Sequence, residues 1–314
     1  MRILSVGEIL WDVFGDREFI GGAPLNFSSS ARRLGNSVAL LSAVGADQRG
    51  TLALEAIRNQ SLSTDLIQTS LRFETGTAIV AADAAGNASF AINRPAAFDG
   101  VEIDDFVSFK IRQARPDWIY FGTLAQSLTA GEQRLTRILA DNHAAKRFYD
   151  INLREGHWDL SLVKRLSALA TIIKMNDSEA EKLSVLAHGP SPFSVESFCA
   201  FWSANYGGET ICVTLGAKGC LVWQEGIARF FEGFSVRVVD TVGAGDVFAA
   251  GFLHGLESGW SLQRTASFAN ALGAIVASRA GAIPNWKPEE CLELMASRPE
   301  AGHESQKTVG DRTR

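Results

Sequence analysis

The sequence predicts an α/β fold: a mostly parallel central sheet sandwiched between two helical layers, with a small β-lid attached. Three observations predict it. Short apolar runs of strand length alternate with amphipathic stretches of helical length, as in successive strand–helix units. One β-rich segment breaks that alternation around a Gly-Asn turn, as an inserted hairpin does. Late in the chain, a turn of Gly and Ala joins an apolar strand ending to a helix.

In chain order, strands are expected at 3–9, 38–44, 118–121, 147–151, 171–175 and 210–213, each a short apolar run suited to a covered parallel sheet. Helical periodicity lies between them, at 25–34, 50–59, 130–143, 178–186, 195–205, 246–258 and 262–280. After Gly219, three further strands at 220–223, 228–231 and 236–239 predict antiparallel additions at one sheet edge. The lid is expected in two pieces. The first is a short hairpin at about 13–20 turning at Gly15-Asp16. The second spans 75–98, where strands 77–82 and 88–92 flank Ala85-Gly86-Asn87. Residues 1–296 then form the folded domain. Residues 297–314 contain only Ala301 and Val309 as apolar side chains beside seven charges, and are expected to be disordered.

Bulk properties narrow the class. With 314 residues, 46% of them apolar, the chain is long enough to bury a sizeable core. A net charge of −5 provides no electrostatic footprint for nucleic acid or an anionic membrane surface. No window approaches the ~18 uninterrupted apolar residues of a membrane span. The apolar opening is broken by Glu8 and lacks a cleavage site, so it reads as a first strand. Cys199, Cys212, Cys220 and Cys291 form no C-x-x-C pair and are expected to be buried free thiols in a reducing, cytoplasmic setting.

The chemistry concentrates in Asp240-Thr241-Val242-Gly243-Ala244-Gly245-Asp246. Small residues let backbone N–H groups approach a ligand, and a helix N-terminus supplies unpaired donors and the positive end of a dipole. Together they suit an anion such as phosphate. Asp246 places a carboxylate beside that hole, where it could take a proton from an attacking hydroxyl; its other reading is a plain helix N-cap. No Walker A sequence occurs, and Gly243-x-Gly245 is followed by Phe248 where the dinucleotide fingerprint wants a small residue.

The 240–246 run resembles the second signature motif of the ribokinase-like, PfkB-type carbohydrate kinases. Other motifs follow that family's order: Asp12, Gly21-Gly22-Ala23-Pro24-Leu25-Asn26, then Gly45-Ala46-Asp47 and Gly50. Within the family, Gly7-Glu8-Ile9-Leu10-Trp11-Asp12, Arg94-Pro95-Ala96-Ala97 and Asp150-Ile151-Asn152-Leu153-Arg154 with Trp158 are most similar to the fructokinase branch. The resemblance implies a ribokinase-like three-layer α/β/α sandwich. It also implies an ATP- and Mg²⁺-dependent kinase acting on a primary hydroxyl of a small sugar, fructose first. Asp246 would be the base, with Gly243, Ala244 and Gly245 as the anion hole. Asp12, Gly22 and Asn26 would grip sugar hydroxyls. Asn176, Thr214, Gly216, Gly219 and Asn270 would meet the nucleotide. Glu179 would act on Mg²⁺ through water, and Asp240 would hold K⁺ in members that use it. Asp47 is expected to serve structurally or at the pocket edge.

Several positions keep a second reading. Gly21-Gly22 is also a simple turn, and Asn176-Asp177-Ser178-Glu179 is also a complete capping box. Asn270 sits among small residues that also suit close helix packing. Lys218 reads as a turn lysine. Arg94 either reaches a substrate oxygen or is a solvated lid-edge residue. At the level of function, the alternatives are a sibling kinase for 2-keto-3-deoxygluconate, ribose or a nucleoside, and a non-catalytic sugar- or nucleotide-binding sensor. A dehydrogenase is disfavoured by the missing fingerprint. Pairing of the 77–82 lid strand with a second copy is expected to be the route to a homodimer.

Overall fold

The computed structural model describes residues 1–82, 88–189 and 192–297. The expected lid turn at Ala85-Gly86-Asn87 and the tail beyond Ser297 lie outside the described residues. The chain begins with β1 (Arg2–Val6), the ribbon β2 (Leu10–Phe14) and β3 (Arg17–Gly21), and α1 (Ala23–Arg33). Next come β4 (Ser37–Gly45), α2 (Gln48–Asn59), β5 (Ile67–Ser70), β6 (Gly76–Ala82) and β7 (Ala88–Ile92). The central units are α3 (Asp105–Ala114), β8 (Trp118–Gly122), α4 (Thr129–Asp141), β9 (Lys146–Asp150), α5 (Leu160–Ala168) and β10 (Ile172–Asn176). They are followed by α6 (Asp177–His188), α7 (Val195–Tyr206), β11 (Thr210–Thr214), β12 (Gly219–Gln224) and β13 (Ile227–Glu232). The described chain closes with α8 (Ala244–Glu257), α9 (Leu262–Ala277) and α10 (Pro288–Ala296).

Nine strands form the main sheet in the order β13-β12-β11-β10-β9-β8-β1-β4-β5. From β5 to β11 every pairing is parallel, and β12 and β13 add antiparallel at one edge. Alternation along each strand sorts side chains to two faces. Leu4, Ile119, Phe121, Tyr149, Ile173, Val213 and their neighbours pack with residues of α3 to α7. Ile3, Leu40, Tyr120, Phe148, Ile172 and Cys212 pack on the other face against α1, α2, α8 and α9. A helical layer covers each face, as the alternation of apolar runs implied. The four cysteines are free and buried, and no described helix is long and apolar enough to cross a membrane.

The lid is a separate four-stranded sheet in the order β3-β2-β6-β7. Its first ribbon begins at Leu10, three residues before the expected start, because β2 pairs with β6 as well as with β3. Asp12 therefore lies on a lid strand, opposite Phe19 on one side and Ala78 on the other. The strand expected to join two copies, β6, pairs with β2 over Gly76–Ile79 and with β7 over Ala78–Ala82.

Other departures are local. The run 236–239 is not a strand. It is a loop, with Val238 and Val239 more than half exposed and the Val239 N–H donating to the Ala277 carbonyl at 2.8 Å. Three helices, α3, α5 and α10, and the short strand β5 were not anticipated; each is ten residues or fewer.

Asp47 has a structural role. It caps α2 by accepting from the Gly50 N–H at 2.7 Å, and it accepts from the Thr75 N–H and hydroxyl at 2.7 Å each. One carboxylate thus ties the end of β4 to the start of β6, where Thr75 is buried. Asp47→Ala is expected to cost about 2–4 kcal/mol, combining a lost cap with stranded Thr75 donors. Urea unfolding measures it, and a loss below about 0.5 kcal/mol would contradict the role given to Asp47.

Candidate active site

One cavity of about 550 Å³ opens at the carboxyl ends of the parallel strands, between the lid, α1, α8 and α9. That is where open α/β sheets bind ligands, because loops there leave backbone groups unpaired. Its walls include Asp12, Gly22 and Asn26 at one end and Asn176, Thr214, Gly216, Gly219 and Asn270 at the other. Gly243, Ala244, Gly245 and Asp246 lie between them. Segments more than 200 residues apart in sequence thus share one chamber.

The turn before α8 is built around Gly243. Its φ of 79° is left-handed, and a Cβ there would stand 2.4 Å from the Ala282 carbonyl oxygen. Only glycine fits without displacing that backbone. Asp240 fixes the turn from behind, accepting from the Val242 N–H and the Gly281 N–H at 3.0 Å each. The Ala244 N–H donates to the Thr241 carbonyl at 3.2 Å. The N–H groups of Gly243, Gly245 and Asp246 make no such bond among the described residues, so they are donors left for an anion.

Asp246 is the third residue of α8, with Gly243 at the N-cap. The plain-cap reading of Asp246 is therefore excluded: its carboxylate is buried and turned away from the helix end, accepting from Asn26 Nδ2 at 2.8 Å. Asn26 comes from the first turn of α1, so the hydrogen bond joins two of the helices that flank the cavity.

Beneath Asp246 lies an ion pair not singled out as a site from the sequence. Asp150 ends β9 and Lys174 lies directly opposite it on β10, so both side chains project from the same face. Lys174 Nζ donates to the two Asp150 oxygens at 3.0 and 3.1 Å, and the Tyr120 hydroxyl donates to Asp150 Oδ2 at 3.0 Å. Both charges are buried, and Lys174 lines the cavity beside Gly245, where a Cβ would stand 2.8 Å from Nζ. Burial, helped by the Asp150 charge and opposed by Lys174, pushes the Asp246 carboxyl up to about 7. Burial also lifts Asp12 to about 6, against the pull of Arg154. A sequence signal for Lys174 existed: a charged residue inside an otherwise apolar strand.

Glu179 and Asn176 form the reciprocal capping box at the start of α6, with both bonds at 2.8 Å. The other Glu179 oxygen accepts from the Leu153 N–H at 2.8 Å, which holds the 151–154 loop against β10. That loop brings Asn152, at a left-handed φ of 41°, and Arg154 to the cavity wall. Asp177, next to Asn176, also faces the cavity. Among the described residues no three His, Cys, Asp or Glu side chains converge as a metal cage. The carboxylates at this strand end suit Mg²⁺, which keeps most of its waters and uses few protein ligands.

At the nucleotide end, Gly219 has no room for a Cβ, which would stand 2.1 Å from the Phe231 carbonyl. Asn270 lines the cavity, but its amide donates to the Phe231 and Glu232 carbonyls at 3.1 Å, tying α9 to the end of β13. Lys218 does not line the cavity, in keeping with a turn lysine.

Arg94, Glu179 and Asp240 are the expected site residues that do not line the cavity; Glu179 and Asp240 act through the backbone groups they hold, and Arg94 turns elsewhere. Its guanidinium is almost fully buried, paired with Asp99 and donating to the Leu124 carbonyl and the Ser127 hydroxyl. It is neither a solvated lid-edge residue nor in contact with the cavity; the nearby carboxylate decides its direction.

An N-terminal helix turn with open N–H donors beside a buried carboxylate, at the strand ends of a three-layer sandwich, suits an anion next to a proton acceptor. The family model described as pfkB family carbohydrate kinase matches residues 7–289, and the chain belongs to that family. Similar proteins include a fructokinase from Solanum tuberosum, 30% identical with 93% of this chain and 95% of that protein covered. A ribokinase from Haemophilus influenzae is 29% identical, with 88% and 87% covered. The fold is shared with a fructokinase from Xylella fastidiosa solved with bound ATP, with a TM-score of 0.81 at 22% identity over 94% of this chain and 98% of that one. An aminoimidazole riboside kinase from Salmonella enterica shares it too, with a TM-score of 0.75 at 22% identity over 93% and 99%.

The raised Asp246 carboxyl has a stability consequence. The folded protein holds this proton more tightly than the unfolded chain, whose carboxyl titrates near 3.8. The stability it contributes is complete below about pH 4 and is lost as pH rises to about 7. Asp246→Asn is expected to be more stable than the wild type at about pH 8, with the difference closing towards about pH 4. Urea midpoints at the two pH values check it; a pH-independent difference would argue against a raised carboxyl.

Proposed function

We propose that this carbohydrate kinase uses ATP to phosphorylate a primary hydroxyl of a small sugar, fructose first, with Asp246 as the general base. The observation that carries the reading is Asp246 itself: a buried carboxylate with a raised pKa, one residue past the open Gly245 N–H, midway between the two ends of the cavity. A base poised near neutral pH both accepts a proton and remains ionised often enough to do so.

The sugar lies against Asp12, Gly22 and Asn26, under the lid strand β2. ATP lies along Thr214 to Gly219 and the cavity face of α9 beside Asn270. This follows the resemblance to kinases solved with ATP, one of them, from Escherichia coli, with ATP and Mg²⁺. Asp246 removes the hydroxyl proton as the oxygen attacks the γ-phosphoryl group. The Gly243 and Gly245 N–H groups and the α8 dipole stabilise charge on the transferring phosphoryl. Lys174, held by Asp150, keeps a fixed positive charge beside Gly245. Asp177, with Asn176, would hold Mg²⁺ through water, where it would neutralise phosphate charge, while Glu179, both of whose oxygens accept backbone N–H groups, would fix the loop and helix start that present them. Both Asp240 oxygens already accept backbone N–H groups, and we propose no K⁺ ion there.

ADP release coupled to a panel of fructose, glucose, ribose, 2-keto-3-deoxygluconate and adenosine tests the acceptor. Turnover centred on fructose supports the reading; turnover centred on another acceptor moves the specificity; sugar binding without turnover favours a sensor. Asp246→Asn is expected to lower kcat by about 10²–10⁴-fold while sugar binding persists. Near-wild-type turnover would remove Asp246 from the role of base.

A further inference from the structure

Two acceptors at the sugar end of the cavity have no partner in the protein. Glu8 Oε2 and Asn26 Oδ1 are buried, and neither receives a hydrogen bond from any described residue. Both residues line the cavity and both are more than nine-tenths buried. Asn26 has a reason for this orientation, since its Nδ2 is committed to Asp246 and its Oδ1 is left over. Glu8 is held in a similar way: it sits in the short link between β1 and β2, packed against Gly22, where a Cβ would stand 3.4 Å from Glu8 Cγ, and its carboxyl accepts from the backbone N–H groups of Glu8 and of Ala23 at the start of α1. Those bonds leave Oε2 without a partner among the described residues.

A buried acceptor without a donor costs about 1–3 kcal/mol, and native structures retain such groups where something else completes them. The chemistry of the wall says what that is. Glu8, Asp12, Asn26 and Asp246 present acceptors, and a sugar hydroxyl is a donor. Charge points the same way. Three carboxyls line this end, each raised by burial; Arg154 acts on all three, and Lys174, itself paired with Asp150, acts on Asp246. Arg94, which also acts on Glu8, is bound to Asp99 and the Leu124 carbonyl. A ligand bearing its own carboxylate would meet like charge here, which is discrimination by repulsion.

We propose that Glu8 is a specificity-determining substrate contact: its Oε2, together with Asn26 Oδ1, accepts hydrogen bonds from hydroxyls of a neutral sugar and excludes sugar acids. The inference rests on the kinase reading and names the acceptor class for the same site. It makes Glu8 a binding residue, distinct from the base. Its loss is read in sugar affinity, and saturating sugar restores turnover.

The test uses the full chain and separates binding from turnover. Dissociation constants for fructose, 2-keto-3-deoxygluconate and ATP are measured by calorimetry for the wild type, Glu8→Gln and Glu8→Asp, with folding verified by thermal melting. Wild-type protein is expected to bind the neutral sugar at least about tenfold more tightly than the acid. Glu8→Gln is expected to weaken the neutral sugar by about tenfold or more, equivalent to about 1.4 kcal/mol. It should narrow the preference over the acid and leave ATP affinity and kcat at saturating sugar within about threefold. Glu8→Asp keeps the charge but withdraws it, and should fall between. Sugar affinity unchanged in both variants, or equal wild-type affinity for acid and neutral sugar, overturns the proposal. The wild-type comparison decides the matter even if both variants fail to fold. Glu8-dependent sugar binding without any turnover would defeat the kinase reading and leave this contact standing. Turnover with Glu8-independent sugar affinity would do the reverse.

Discussion

The site depends on one backbone constraint: the N-terminus of α8 must sit over the carboxyl ends of the parallel strands. Gly243 makes this close approach possible, because any side chain there would strike the Ala282 carbonyl. Asp240 then fixes both sides of the contact, accepting from Val242 ahead of the turn and from Gly281 on the facing loop. The body of α8 is held equally closely. A Cβ at Gly255 would stand 2.9 Å from Thr265 Oγ1 of α9, and one at Gly251 would stand 3.1 Å from Leu272 and 3.3 Å from the Ala269 Cα. Small residues along α8 therefore serve packing, while those at its start line the cavity.

This placement creates an electrostatic problem that the strands below solve. The charge of the buried Asp150 lies close enough to raise the cost of ionising the buried Asp246 carboxylate. Lys174, on the strand next to Asp150, supplies the compensating charge with both Asp150 oxygens in reach. Removing either member of such a pair would leave an uncompensated buried charge, which is far costlier than the pair is stabilising. What the arrangement leaves to Asp246 is a carboxyl held up by burial and partly restrained by Lys174 and Asn26. It stays near neutrality, where proton transfer in either direction is easy.

The lid links substrate recognition to a second sheet. Because β2 is shared between the hairpin with β3 and the pairing with β6, Asp12 is carried by the lid, while Glu8, Gly22 and Asn26 belong to the body. In the proposed reading, a sugar held between them would bridge the two sheets. Asp47 fixes the root of the lid through Thr75, so the lid strands start from an anchored point.

Much of this was legible in the sequence, and the reason is periodicity and local geometry. The alternating runs predicted the sheet and both helical layers because apolar spacing of two or 3.6 residues is itself the record of which face is buried. The 240–246 turn was legible because a left-handed glycine and a helix start leave a local signature. Tertiary structure alone decided contacts between distant segments. That Asp246 stands at the third position of α8, bonded to Asn26 across 220 residues, follows from packing. That Arg94 turns to Asp99, that 236–239 is a loop, and that β6 is interior to the lid are set by neighbours that no local pattern encodes. Glu8 and Lys174 show the limit most plainly: each is a charge in an apolar run, and only burial beside a cavity shows what that charge faces.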